Sequence, residues 1–373
     1  MDKKKILFLS ASFGGGHNAA VEAVQQAIEK YHPGKYEMAK IDIVSLIWPT
    51  FEKFATQFYK NTTKYSKLTW KTFFEITDKT EAFNILDRGG YQLLRKQLKP
   101  IAEEKPEIII SCYPFLAYSV TKYLKSIHKK TPLVNLITDT GEVHNAWISK
   151  GVDYYLAPTK ETELYLIEEG IKPERIKLFG FPVKQWFYKK YNKEDIRAEL
   201  KIPKNNRLVI YFSGLYGIGN IDLKVIALDA GIQDVTIIIV CGNNKTLPEK
   251  LKSHKYQNDV RIFGFLPNED VSRYMSASDL VITKAGGMSV METITSKKPM
   301  IITEVIPGQE EPNAEFVETM GFGYVAKTPK RLAEKAVLIL DGGDQERIER
   351  NYINYHLNDH SDRDIADFID SVI

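Results

Sequence analysis

Two cysteines in 373 residues, Cys112 and Cys241, leave no disulfide framework and no Cys-x-x-Cys pair for zinc. Both read as small buried apolar residues, as expected in a reducing compartment. There is no apolar run of ~18 residues, so no membrane-spanning helix is expected. The start, "MDKKKILFLSAS", is basic, but its apolar run is too short for a signal peptide. Charge of one sign is missing too. The 51 Lys and Arg against 48 Asp and Glu leave a net charge of +3, too small for a dedicated nucleic-acid binder. Low-complexity segments and short-period repeats are absent. The D-x-D of Asp362–Asp364 lies in the C-terminal tail, and no metal-ligand cluster is seen, so no metal is expected in the site. What remains is an ordinary globular composition, 43% hydrophobic and 27% charged. A single core rarely grows past ~250–300 residues, so two domains are expected.

Apolar, β-branched runs alternate with helical patterns. The strand candidates of the first half are Lys5–Ser10, Met38–Val44, Glu107–Cys112, Leu133–Thr138 and Tyr154–Ala157. Those of the second half are Leu208–Ser213, Thr236–Cys241, Val260–Phe263, Leu280–Thr283, Met300–Thr303 and Gly323–Ala326. Val24, Ala27, Ile28 and Tyr31 share one face of a helix over Ala20–Tyr31. Continuous apolar strands separated by helices indicate parallel sheets covered on both faces. The pattern lapses over Val183–Asn206 and restarts at "RLVIYFSG". The expectation is two doubly wound α/β domains, residues 1–185 and 186–355, facing a central cleft, with ligands at the carboxyl ends of the strands. The tail, 356–373, is expected as a helix packed back on the first domain.

One segment, 47–74, breaks the alternation. Phe51, Phe54 and Phe58 share a helical face, and Lys60, Lys64, Lys67 and Trp70 continue a basic, aromatic composition. Such a stretch suits a membrane interface, where anionic lipid attracts each nearby lysine by ~1 kcal/mol. It equally suits a core-packing helix with a solvated lysine face.

Five further stretches could carry chemistry. In "FLSASFGGGHNAA" a strand gives way to Gly14, Gly15, Gly16 and His17 and then a helix. Glycines allow close backbone approach, a helix start favours anions, and His17 could accept a proton or bond a hydroxyl. The spacing matches neither G-x-G-x-x-G nor a P-loop. In "ITDTGEVHNAW", Asp139 follows a strand, with Glu142, His144 and Trp147 close by. In "FSGLYGIGN", Gly214, Gly217 and Gly219 repeat the strand-to-glycine design at the head of the second half. In "ITKAGGMSVMETI", Gly286, Gly287, Met288 and Ser289 begin a helix, a seat for a diphosphate, and Glu292 could accept from ribose hydroxyls. "IPGQEEPNAEFV" adds Gln309 and Glu310, suited to a polyhydroxyl ligand.

In order and spacing these blocks resemble the monogalactosyldiacylglycerol synthase and processive diacylglycerol β-glucosyltransferase family. They are similar more distantly to the peptidoglycan GlcNAc transferase that makes lipid II. The resemblance spans nearly the whole chain. It implies a GT-B fold with an N-terminal acceptor domain and a C-terminal donor domain. It implies inverting transfer from UDP-glucose or UDP-galactose to diacylglycerol or a glycolipid, without cofactor or metal, at an anionic membrane surface. The enzyme would be cytoplasmic and peripheral on the inner face of the cell membrane, with no nucleic acid as partner. Gly286, Gly287 and the helix after them would hold the diphosphate, Glu292 the ribose, Gln309 and Glu310 the sugar. The backbone of Phe263, Gly264 and Phe265 would read the uracil, and Gly214 would approach the donor. Gly14–His17, His144 and Trp147 would line the acceptor side, and 47–74 would touch the membrane. Departures are the "SGLYGIGN" loop and Pro312.

The base for the acceptor hydroxyl is Asp139 or His17, or both together, with Asp139 first. A UDP-GlcNAc-dependent transferase to a polyprenyl-pyrophosphate acceptor, a UDP-GlcNAc 2-epimerase and a non-catalytic UDP-sugar binder are the alternatives.

Overall fold

The computed structural model describes residues 3–11, 15–47, 67–79, 89–149, 151–214, 220–355 and 358–373. Gly14, Phe51, Phe54, Phe58, Lys60, Lys64, Gly217 and Gly219 therefore lie outside the described residues. The chain forms two compact units. The first holds Met1–Gln185, Pro307–Pro312 and His360–Ile373, and the second holds Trp186–Ile306 and Asn313–Asp359.

The sheet of the first unit contains β1 (Lys4–Ser10), β2 (Tyr36–Asp42), β3 (Ile108–Ser111), β4 (Leu133–Leu136), β5 (Tyr154–Ala157) and β6 (Ile176–Leu178). All pairs are parallel and the order is β2-β1-β3-β4-β5-β6. The inner strands β3 and β4 are buried along their whole length, as strands covered on both faces must be. The chain winds one way from β1 to β2 and the other way from β1 to β3. The crevice between the carboxyl ends of β1 and β3 is thus a topological switch point, where open α/β sheets bind ligands.

The second unit repeats the design with β7 (Arg207–Phe212), β8 (Val235–Val240), β9 (Asp259–Phe263), β10 (Leu280–Lys284), β11 (Met300–Glu304) and β12 (Gly323–Val325). Its order, β12-β11-β10-β7-β8-β9, puts the switch point between β7 and β10.

Helix α1 (Gly16–Tyr31) follows β1 and buries Ala20, Val21, Val24, Ala27 and Ile28. Helix α2 (Ile43–Ile47) follows β2 directly. Ile43 and Val44, expected to extend that strand, are helical instead. The reason is Asp42, whose carboxylate accepts from the N–H groups of Val44 (3.0 Å) and Ser45 (2.9 Å) and so starts a helix. Helix α3 (Lys67–Lys79) carries Lys67 and Trp70. Helix α4 (Gly287–Thr295) follows β10, α5 (Glu311–Thr319) follows the segment after β11, and α6 (Ser361–Val372) ends the chain. No described helix is long and apolar enough to cross a membrane.

Helix α6 packs on α1 through a ladder of acids. Asp362 accepts from Lys30 Nζ and Tyr31 Oη, both at 3.0 Å, Asp367 faces His32 Nε2 at 3.0 Å, and Asp370 takes Lys35 and Tyr36. The first aspartate of the D-x-D is thus a structural anchor with a nearly buried side chain.

Candidate active site

In the first unit, His17 stands one residue into α1, at the β1/β3 switch point. Gly15 caps that helix with φ 84°, a left-handed conformation that favours glycine. His17 follows that cap two residues on. Its ring lies edge-on to Tyr113, centroids 5.5 Å apart, and its Nδ1 is 3.2 Å from Thr138 Oγ1. Burial holds the imidazole down to about 4, against an opposing pull from the Cys112 carbonyl. His17 is therefore neutral at physiological pH.

Asp139 follows Thr138 at the carboxyl end of β4. It is half-buried, and its Oδ2 accepts from Trp147 Nε1 at 3.3 Å. Burial lifts its carboxyl from 3.8 to about 6; the indole N–H opposes the rise and the charge of Glu310 adds to it. Glu310 reaches Asp139 because residues 307–312, although they follow β11, belong to the first unit. The same segment touches α3. Lys71 Nζ lies 3.6 Å from Glu311, and a Cβ on Gly308 would stand 2.8 Å from the Phe74 ring. Pro312 meets the Asp139 loop, 3.5 Å from where a Cβ on Gly141 would lie.

His144 and Trp147, expected to line the acceptor side, are both buried. His144 Nδ1 accepts from the N–H of Ala146 (3.0 Å), and Nε2 is 3.2 Å from Thr77 Oγ1. Its ring lies edge-on to Phe74 at 4.7 Å. Burial lowers its basicity, against the pull of Asp78. His144 thus ties α3 to the loop that carries Asp139. Asp78 reinforces the tie by accepting from the Asn145 N–H at 2.7 Å. Thr138, Thr77 and Asp78 were not singled out in the sequence. Only their meeting in space gives them a role, although Thr138 precedes Asp139 directly.

In the second unit, the ends of β7 and β10 come together at the switch point. Gly214 has φ +72°, and a Cβ there would stand 3.2 Å from Lys284 Cδ. After β10, Gly286 caps α4 without any side-chain hydrogen bond, and the first turn of α4 holds no acidic residue. The N–H groups of that first turn, Gly287, Met288 and Ser289, have no partner inside the helix. Ala285, the residue before Gly286, is held through both its N–H and its carbonyl. The Ala285 N–H donates to Glu304 O (2.8 Å), and buried Asn313 donates from Nδ2 to Ala285 O (3.0 Å). Lys224, buried in the same region, donates to Thr303 O (2.9 Å) and pairs with Glu304 Oε1 (2.5 Å). Neither Asn313 nor Lys224 carries a sequence signal for this role. Glu292 is half-buried on α4. The Phe263 carbonyl accepts from the Cys241 N–H at 2.8 Å, so that oxygen is engaged in the protein, while Phe265 is 65% exposed at the end of β9.

Residues 17–183 match the family described as monogalactosyldiacylglycerol (MGDG) synthase, and residues 192–356 match glycosyl transferases group 1. Each half of the chain thus matches a glycosyltransferase family, the first half that of the MGDG synthases. The match to this family begins at His17. The glycosyltransferase is 29% identical over 345 residues to Arabidopsis thaliana monogalactosyldiacylglycerol synthase 3, covering 89% of this chain and 73% of that protein. It is 25% identical over 373 residues to the processive diacylglycerol β-glucosyltransferase of Bacillus licheniformis, covering 98% and 95%. Among solved structures it resembles the glycotransferase of kitacinnamycin, with TM-score 0.64, 13% identity and full coverage of both chains. Anabaena HepE in complex with UDP-glucose gives TM-score 0.56 at 17% identity, covering 98% and 99%. The Neisseria meningitidis UDP-GlcNAc 2-epimerase gives TM-score 0.56 at 12% identity, covering 99% of each. At such identities these likenesses establish the fold, which is GT-B. The epimerase alternative shares that fold, but the two family matches do not favour it.

Proposed function

We propose that this glycosyltransferase moves a hexose from a UDP-sugar to the free hydroxyl of diacylglycerol, or of a glycosyl-diacylglycerol, with inversion at the anomeric carbon. The observation that carries the mechanism is the Asp139 carboxylate, half-buried at the end of β4 and raised to about 6. The acceptor oxygen attacks the anomeric carbon from the face opposite UDP. The bond from that carbon to the diphosphate oxygen breaks, UDP leaves with the electron pair, and the hydroxyl proton passes to Asp139. His17, held at about 4, is the weaker base of the two by ~100-fold in proton affinity. Its role in this reading is to hydrogen-bond as a neutral ring near the acceptor. A base with a value near 6 is ionised at neutral pH yet still binds a proton, the range in which general bases work.

The developing charge on UDP falls to the Gly286–Ser289 backbone and the α4 dipole, which stabilise an anion without reorganisation. Glu292 is assigned to the ribose, the Gly264–Phe265 backbone to the uracil, and Gln309 and Glu310 to the sugar hydroxyls. The basic-aromatic segment 47–74 is assigned to an anionic membrane surface, as a peripheral contact on the inner face. No cofactor or metal enters this scheme. Excess EDTA is therefore expected to leave turnover within about twofold. A loss of ~10-fold or more that magnesium restores would contradict it.

Two readouts test the function, release of UDP and conversion of the sugar nucleotide itself. The protein is incubated with UDP-glucose, UDP-galactose or UDP-GlcNAc, with and without vesicles containing diacylglycerol, and UDP release is followed. Release that requires diacylglycerol is expected with a hexose donor. Conversion of UDP-GlcNAc without lipid would indicate the epimerase, and no UDP release with any donor would sink the transferase reading.

A further inference from the structure

We infer that Trp147 is the positioning residue of the base: its indole N–H holds Oδ2 of Asp139 and so presents Oδ1 to the acceptor hydroxyl. This rests on Asp139 being the base, as proposed above. Trp147 is fully buried at 0% exposure, so its N–H cannot turn to water and needs a protein acceptor. Asp139 Oδ2 at 3.3 Å is that acceptor.

The tryptophan is itself fixed. Its carbonyl accepts from Asn135 Nδ2 at 2.9 Å, and its backbone N–H donates to His144 O at 2.9 Å. His144 is in turn bonded to Ala146 N and Thr77 Oγ1. A half-buried aspartate with one oxygen held by so rigid a donor loses the rotation that would exchange its two oxygens. A reacting group placed in this way supplies a large part of catalysis. The charged and titratable groups around Asp139 are Glu310 of the 307–312 segment, which pushes its carboxyl up, and His17 of α1, neutral and linked through Thr138.

The test replaces Trp147 with 3-benzothienylalanine, which keeps the ring shape and puts sulfur in place of the N–H. Trp147→Phe serves as the genetic counterpart and Asp139→Asn as control. The readout is kcat and KM against pH with UDP-hexose and diacylglycerol vesicles. Without the indole donor the ionised carboxylate is less favoured. The acid limb of kcat is expected to move up by about one unit, a ~fivefold loss at the wild-type midpoint that approaches ~tenfold below it, with KM changed less than about threefold. A packing role alone would lower the folded fraction and leave the limb in place. An unmoved limb in the sulfur isostere, which is the variant least able to disturb the fold, overturns the inference. If Asp139→Asn keeps its turnover and its limb, the base reading fails. If Asp139→Asn is inactive while the isostere keeps the limb, only the positioning role fails.

Discussion

Asp139→Asn is expected to lower kcat by ~10²–10⁴-fold, with the KM for the UDP-sugar changed less than about threefold. The same substitution is expected to stabilise the fold at about pH 8. The folded chain holds the Asp139 proton more tightly than an unfolded chain would, because burial lifts the carboxyl from 3.8 to about 6. Its contribution to stability is therefore complete below the lower value and is lost as pH rises through the upper one. At neutral and higher pH the ionised group costs at most ~3 kcal/mol. Asparagine keeps an oxygen for the Trp147 N–H and carries no charge to desolvate. Thermal melts across pH check this. The variant should melt above the wild type at about pH 8 and lose that advantage at about pH 4. A variant that is both active and unshifted in melting would show that Asp139 is neither strained nor catalytic.

Ser289→Asp is expected to raise the KM for the UDP-sugar by ~10²-fold while leaving the fold intact. Ser289 sits in the first turn of α4, and its carbonyl already accepts from Thr293 Oγ1 at 2.7 Å. That turn has no acidic residue. A carboxylate there favours the helix itself by ~0.3–1 kcal/mol. For a diphosphate in the same place it is repulsive, by ~3 kcal/mol per charge pair at ~6 Å with an effective dielectric of ~20. Stability and donor binding should thus move in opposite directions. Calorimetry with UDP and with uridine separates the causes: UDP should weaken strongly and uridine little. Equal binding of UDP by variant and wild type would remove the diphosphate from α4.

Much of the fold was legible in the sequence because buried parallel strands write long apolar runs. "ILFLS", "LVIYF" and "VTIIIV" lie in β1, β7 and β8. The strand that was missed, β6, is three residues long and leaves Leu178 41% exposed, too little burial for a pattern. The Met38–Val44 expectation overran because Ile43 and Val44 suit strand or helix alike. Asp42 decides for the helix through two hydrogen bonds that a propensity argument does not weigh. Asp139 and His17 were legible as candidates because each follows a strand at the carboxyl edge. Asp139 stands first of the two in the sequence reading, but its burial and the charge of Glu310, 171 positions beyond Asp139 on a segment that packs with the first unit, are not visible there. The bond from the Trp147 indole to Asp139 likewise appears only through space.

Transfer to lipid with inversion is read from the lipid product itself. Wild-type protein is incubated with a UDP-hexose and diacylglycerol vesicles, the glycolipid is isolated, and its anomeric proton is read by NMR. The expected product is a hexosyl-diacylglycerol whose anomeric coupling is the large one of a β-glycoside. An α-linked product, or a hexose released to water with the lipid unchanged, would contradict it.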